Sequence, residues 1–455
     1  MALMALALCF LFTLWLFVRD NKVRPMTSGA LWVPLLWIMI NGSRHVSAWL
    51  SGGIETESPD SYLEGTPLDR NIYIVLILAA IVVLLRRSID WNRLFEGNRW
   101  LFIFFLYWGL STIWSDYPAI SMKRWIKDIG NVLMVLVIFT ETGSTQALRS
   151  VLSRYVSFAL PFSVLLILFF PELGSYQDEH ATEAAFGGIS TNKNGLGIIL
   201  VVSGLFLAWD MFETWFADNG RKDSIDLLIR FVLLGALGWL LIMARSSTAL
   251  VCLPAGLALM TLLHVNPVRR YLNYLGIYAA IAILLIFVLD FFPVIVETVA
   301  TAVGRDATFT GRTEIWNDLL RENTDPLVGS GYQSFWLRHG MMERYGEINQ
   351  AHNGYLEVYL NGGLIGLGLL LTMMAATGDK LRKNIMHGSS ISILLLTLLI
   401  VAALYNLTEG LFHGLSLIWF GMLLAALSRP GQVSERVFHP QGQPLKRAVK
   451  LRPSS

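Results

Sequence analysis

The stretch "QAHNGYLEVYLNGG" (350–363) sets a lone histidine, His352, at the head of a long apolar run, with Tyr355 and Tyr359 three and seven positions further on. On a helix these positions share a face. An imidazole takes up and releases a proton near neutral pH, which suits activation of a hydroxyl. The plainer alternative is a hydrogen-bonded interfacial histidine beside two aromatic-belt tyrosines.

Basic residues gather at comparable positions. "VGRDATFTGRTEIWNDLL" (303–320) places Arg305 and Arg312 directly after glycines, and glycine lets a backbone approach a ligand closely. Thr310 is positioned to cap a helix over 313–321. Arg312 then falls in a first turn, where the helix dipole disfavours a cation. "GGISTNKNGLG" (187–197) holds Lys193 between two asparagines at a helix start, where free N–H groups favour an anion; an ordinary N-cap explains Asn192 or Asn194 equally well. "MARSSTALVCL" (243–253) puts Arg245 in a tight turn between two apolar segments, where a charge either has a partner or a task, or snorkels to the interface. In "SDYPAISMKRWIKD" (115–128), Lys123, Arg124 and Lys127 share one helix face. They make either an interfacial helix with snorkelling cations or a surface for an anionic lipid head. Guanidinium binds phosphate oxygens bidentately. Together these groups describe a site for a lipid phosphate or pyrophosphate with one base beside it. No carboxylate pair with metal spacing, Cys/His cluster or P-loop occurs, which points to metal-free group transfer without a cofactor.

The elements that must hold these residues are membrane helices. Of 455 residues, 54% are hydrophobic and 15% charged, and mean hydropathy is +0.54; a soluble chain carries about 25% charged residues. Apolar blocks approach the roughly 20 residues that cross a bilayer. Spans are expected near 1–18, 28–41, 71–85, 99–114, 127–140, 155–170, 194–212, 227–244, 246–263, 271–292, 355–377, 390–408 and 411–428, giving an all-α polytopic integral membrane protein with about 12–13 transmembrane helices. Residues 1–18 lack a preceding basic region and a clear cleavage site, and read as a retained helix. Alternation collects most of the 35 Lys and Arg on one side, which is therefore cytoplasmic. The other side carries medium loops at 42–70 and 171–193 and a long loop at 293–354. Residues 1–428 read as one membrane domain and 429–455 as a disordered basic cytoplasmic tail. Cys9 and Cys252 lie in apolar segments and suggest no disulfide. The inner halves of the spans show almost no ionisable residues, which weighs against a transporter of lipid-linked sugars, the rival reading from another class. A non-catalytic assembly partner is the other rival, and it would not need His352. Nothing suggests nucleic acid.

"GRTEIW" (311–316), "LVGSGYQSFW" (327–336) and "AHNGYLEVYLNGGLIGL" (351–367), in that order, resemble the O-antigen ligase and polymerase (Wzy-type) superfamily. "WSDYPAISMKRWIKD" and "STNKNGLG" resemble its exopolysaccharide-polymerase branch. The resemblance implies an inverting, metal-independent glycosyltransferase in the bacterial inner membrane, with its active site on the periplasmic side. The donor would be a glycan on undecaprenyl pyrophosphate. The acceptor would be another lipid-linked repeat unit, lipid A-core, or in some cases a protein. A chain-length regulator and a flippase are the implied partners. By this likeness Arg312 holds the pyrophosphate and His352 activates the acceptor hydroxyl or organises the site. The family's second arginine follows a serine in the helix-turn-helix region. Here Arg245 comes one or two positions early, with Ser247 near the expected place, so Lys193 or Arg124 stand as substitutes. Arg305 and Tyr355 complete the candidate binding set.

Overall fold

The computed structural model describes residues 1–23, 28–52, 66–177, 184–216, 224–274, 276, 312–338, 341–345 and 350–428, with the backbone alone for 23, 266, 312–314, 342 and 343. Most of the expected span 271–292, Arg305, the side chain of Arg312 and the tail 429–455 lie outside the described residues.

The principal helices are α1 (Ala2–Val23), α2 (Trp32–Asn41), α3 (Pro67–Leu85), α4 (Trp91–Ser111), α5 (Pro118–Phe139), α6 (Ser144–Phe169) and α7 (Lys193–Phe216). They continue with α8 (Ser224–Ala244), α9 (Ser247–His264), α10 (Arg312–Arg321), α11 (Gly354–Met386), α12 (Ile391–Tyr405) and α13 (Leu417–Leu427). Twelve of the thirteen expected spans overlap one of these helices, with ends that differ by up to eleven residues. Seven helices are long and apolar enough to cross a membrane among the described residues. Four reasons for the boundaries are local. Thr66 caps α3 through Asp69 N and Pro67 follows it. Asp90 caps α4, Asn353 caps α11, and Ser416 caps α13.

Helices α6 and α7 form the middle of the bundle, with 67% and 72% of their apolar windows buried, whereas α1 and α8 bury only 11% and 22%. The outer helices therefore present apolar side chains to lipid; Leu11, Leu14, Phe231 and Ile242 are exposed. Lipid tails are as apolar as a leucine side chain, so close packing and interhelical hydrogen bonds hold such a bundle together. One buried network illustrates this. Asp128 of α5 accepts from Tyr332 Oη at 2.7 Å, Trp419 Nε1 at 2.6 Å and Asn131 Nδ2 at 2.9 Å. Asn131 in turn accepts from Trp37 Nε1 at 2.8 Å and donates to the Gly414 carbonyl. Thus α2, α5, α13 and two loops at one end of the bundle share a satisfied polar core.

The structure departs from the sequence reading in three places. The apolar segment "LFHGL" (411–415) is loop, and α13 begins only at Leu417. The short strands Ser175–Gln177 and Ala184–Phe186 pair antiparallel within the loop expected at 171–193. Ionisable groups are also buried near the helix ends on the Lys/Arg-rich side. Arg154 Nε meets Asp20 at 2.8 Å, with side-chain exposures of 4% and 6%. Arg149 and Arg230 both pair with Asp210. Arg19 pairs with Asp226 at 2.7 Å. The expectation of nearly ion-free inner halves is corrected accordingly. Pairing is the reason these groups are tolerated, because each carboxylate meets a guanidinium.

Candidate functional site

Four connections meet at the opposite end: the start of α7, the α8–α9 turn, residues 350–354, and the loop "NLTEGLFHGLS" (406–416). Backbone hydrogen bonds tie them together. Gly354 N donates to the Asn406 carbonyl at 2.8 Å, and Asn406 Oδ1 accepts from Leu411 N at 2.7 Å. Thr248 and Thr408 hydroxyls lie 2.9 Å apart, which docks the α8–α9 turn on the same loop.

His352 sits among them. Its Nδ1 is enclosed and lies 3.5 Å from Glu409 Oε2; the side chains are 30% and 5% exposed. This is longer than an ordinary hydrogen bond, and Nδ1 makes none among the described residues. Glu409 also accepts from Asn194 Nδ2 at 3.0 Å. Asn192 Oδ1 accepts from Gly195 N at 2.8 Å, so Asn192 is the residue that caps α7. That leaves Asn194 to hold the carboxylate and places Lys193 between them.

The backbone around His352 is fixed from both sides. Trp316 Nε1 of α10 donates to the Ala351 carbonyl at 2.7 Å. Ala351 N donates to Glu357 Oε2 at 2.9 Å. Glu357 is itself held by Trp336 Nε1 and Asn361 Nδ2. Arg312 is the first residue of α10, one helical turn before Trp316, so the backbone start of that helix is tethered next to His352. Among the described residues, three that are not glycine adopt a left-handed backbone: Arg245 (φ 47°), Gln333 (φ 48°) and His352 (φ 48°). Each such conformation costs about 1–2 kcal/mol. Strain of this kind persists where the surroundings over-determine it, and it clusters at functional sites. All three lie at this end of the bundle.

The remaining expected residues divide. Arg124 reaches the Gln333 carbonyl at 2.9 Å and lies beside His413, whose ring meets the edge of Tyr332. Loop 406–416 therefore joins two corners, with Glu409 at His352 and His413 at Arg124. Lys127 lies over the Tyr73 ring at 5.9 Å, and Lys123 is exposed. Tyr355 turns to packing: its hydroxyl donates to the Ala403 carbonyl at 3.0 Å and its ring stands against Phe412.

Glu409, His413 and Gln333 were not legible in the sequence. The signal that existed was a lone carboxylate and a lone histidine in a short apolar stretch between two spans, where either is expensive without a role.

The arrangement offers an imidazole with a carboxylate facing its inner nitrogen. A family model described as O-Antigen ligase matches residues 229–371, the segment that holds Arg245, Arg312 and His352. The exopolysaccharide production protein ExoQ of Rhizobium meliloti (strain 1021) is 26% identical over 301 residues, covering 61% of this chain and 63% of the relative. The chain thus spans somewhat under two thirds of the length of this curated relative. The helical bundle and these two matches make the chain similar to O-antigen ligases and to an exopolysaccharide production protein.

Proposed function

We propose that this chain is an inverting, metal-independent glycosyltransferase that takes a glycan from undecaprenyl pyrophosphate at the periplasmic face of the inner membrane and polymerises repeat units of a surface polysaccharide or exopolysaccharide. The observation that carries this reading is His352, held in a left-handed backbone with Glu409 on its Nδ1. The start of α7 joins it through Asn194 on Glu409, and α10 joins it through Trp316 on the Ala351 carbonyl.

The chemistry divides between these groups. His352 Nε2 accepts the proton of the acceptor hydroxyl as that oxygen attacks the anomeric carbon. The bond from carbon to the pyrophosphate oxygen breaks, and its electron pair leaves with the lipid pyrophosphate. A pyrophosphate needs cationic stabilisation more than a proton, which is the role for Arg312, with Arg245, Lys193 and Arg124 as further cations. Attack from the face opposite the leaving group inverts the anomeric centre. The glycan arrives already activated, so no nucleotide is needed. A chain-length regulator and a flippase would act on either side of this step.

Polymerisation is preferred because the relative takes part in exopolysaccharide production. Ligation to lipid A-core is the second reading, favoured by the description of the matching family. The test is the surface glycan of cells carrying Arg312→Ala or His352→Ala at normal protein level. Each variant is expected to lose polymer by at least about 100-fold, the scale of a lost general base or charge-stabilising group. Accumulated single lipid-linked units would mark a polymerase, and undecorated lipid A-core a ligase. Normal polymer from both variants would defeat the enzyme reading and favour a transporter or assembly role.

A further inference from the structure

Resting on the reading of His352 as base, we infer that Glu409 is the positioning residue of this reaction: it orients His352 and stabilises the imidazolium that forms during transfer. Three observations converge. Glu409 is 5% exposed and its Oε2 lies 3.5 Å from His352 Nδ1. Its other oxygen is held by Asn194 from the start of α7, so the carboxylate cannot swing away freely. His352 keeps a left-handed backbone, and its neighbour Ala351 is clamped from both faces by Trp316 and Glu357.

A carboxylate on Nδ1 favours the tautomer that carries its proton there, which leaves the Nε2 lone pair for the acceptor hydroxyl. When that hydroxyl's proton moves to Nε2, the imidazole becomes a cation and its attraction to Glu409 strengthens. The 3.5 Å separation fits such a role, since a catalytic hydrogen bond is often long before substrate is bound and tightens in the reacting complex. Asn194 holds one carboxylate oxygen, and the nascent imidazolium strengthens the contact at the other. Glu409 itself touches no substrate in this scheme.

The experiment uses the full chain purified into nanodiscs, with lipid-linked repeat units extracted from the source cells as donor and acceptor. Glu409→Gln keeps an acceptor for Asn194 but removes the charge. It should lower kcat about 100-fold with KM changed less than about twofold, because the lost interaction is made mainly in the transition state. Glu409→Asp should recover at least about tenfold of that loss. In a His352→Ala background, Glu409→Gln should add less than about a twofold further loss, since residues acting as a unit are not additive. Should Glu409→Gln fail to fold, Asn194→Ala is the substitute: it loosens the carboxylate and should lower kcat about tenfold in the presence of His352 only. Full activity of Glu409→Gln with an inactive His352→Ala enzyme would overturn this inference alone. A loss equally large with and without His352 would also overturn it, by showing a merely structural role. Full activity of His352→Ala would remove the underlying reading and this inference together.

Discussion

At the scale of single residues, the cations at the site end meet different fates, and their partners decide which. Arg44 is buried and donates to the carbonyls of Leu173 and Ser190; it is a brace between loops. Arg124 donates to the Gln333 carbonyl and lies half-buried beside His413. Burial and the positive charge of Arg124 push His413 down to about 4. Its ordinary value is 6.5, so the unfolded chain binds a proton between those two values and the folded chain does not. This group's contribution to stability is complete above about pH 6.5 and is lost progressively as pH falls towards 4. Thermal unfolding in detergent across that range should show the decline, and His413→Gln should flatten it; an unchanged slope would contradict the assignment. His352 was legible at this scale because a histidine at a helix mouth stands out by type. Glu409 was not, because one acidic residue beside a span reads as an ordinary interfacial charge until its neighbour across the fold is known.

At the scale of elements, the long helix α11 is broken, and the break positions the site. Gly363 has φ 61° and ψ −164° within it, a combination that is essentially glycine-only. The interrupted ladder is filled by the chain at 326–331. Ser330 N and Gly331 N donate to the Leu360 and Asn361 carbonyls, while Leu364 N and Ile365 N donate to the carbonyls of Pro326 and Leu327. Segment "PLVGSG" is thereby sewn into α11, just before Tyr332 and Gln333 reach Asp128 and Arg124. A Cβ at position 363 would lie 2.2 Å from the Leu327 carbonyl group. Gly363→Ala should therefore destabilise the protein by on the order of 3 kcal/mol or more, as strain and clash add. Folded yield and melting temperature in detergent measure it, and a variant as stable as the parent would refute the account. The helices on either side were readable from apolar run length. The break was not, since "NGG" within a hydrophobic stretch is equally compatible with a continuous helix.

At the scale of the whole molecule, the bundle has two chemically different ends. One is rich in paired charges, Arg154 with Asp20 and both Arg149 and Arg230 with Asp210. The other gathers His352, Glu409, Arg124 and His413. With Cys9 and Cys252 replaced, a cysteine in place of exposed Lys123 should react with a membrane-impermeant maleimide in intact spheroplasts. One in place of Lys383 should react only after permeabilisation. The reverse pattern would invert the topology and move the proposed site to the cytoplasm. The sequence by itself determined the all-α membrane class and the approximate positions of the apolar helices. A bilayer demands about 20 apolar residues per helix. Only the tertiary structure decided which groups touch. Glu409 meets His352 because hydrogen bonds tie the start of α7 and the start of α11 to the loop that follows α12, and no periodicity along a single chain records a distance between loops.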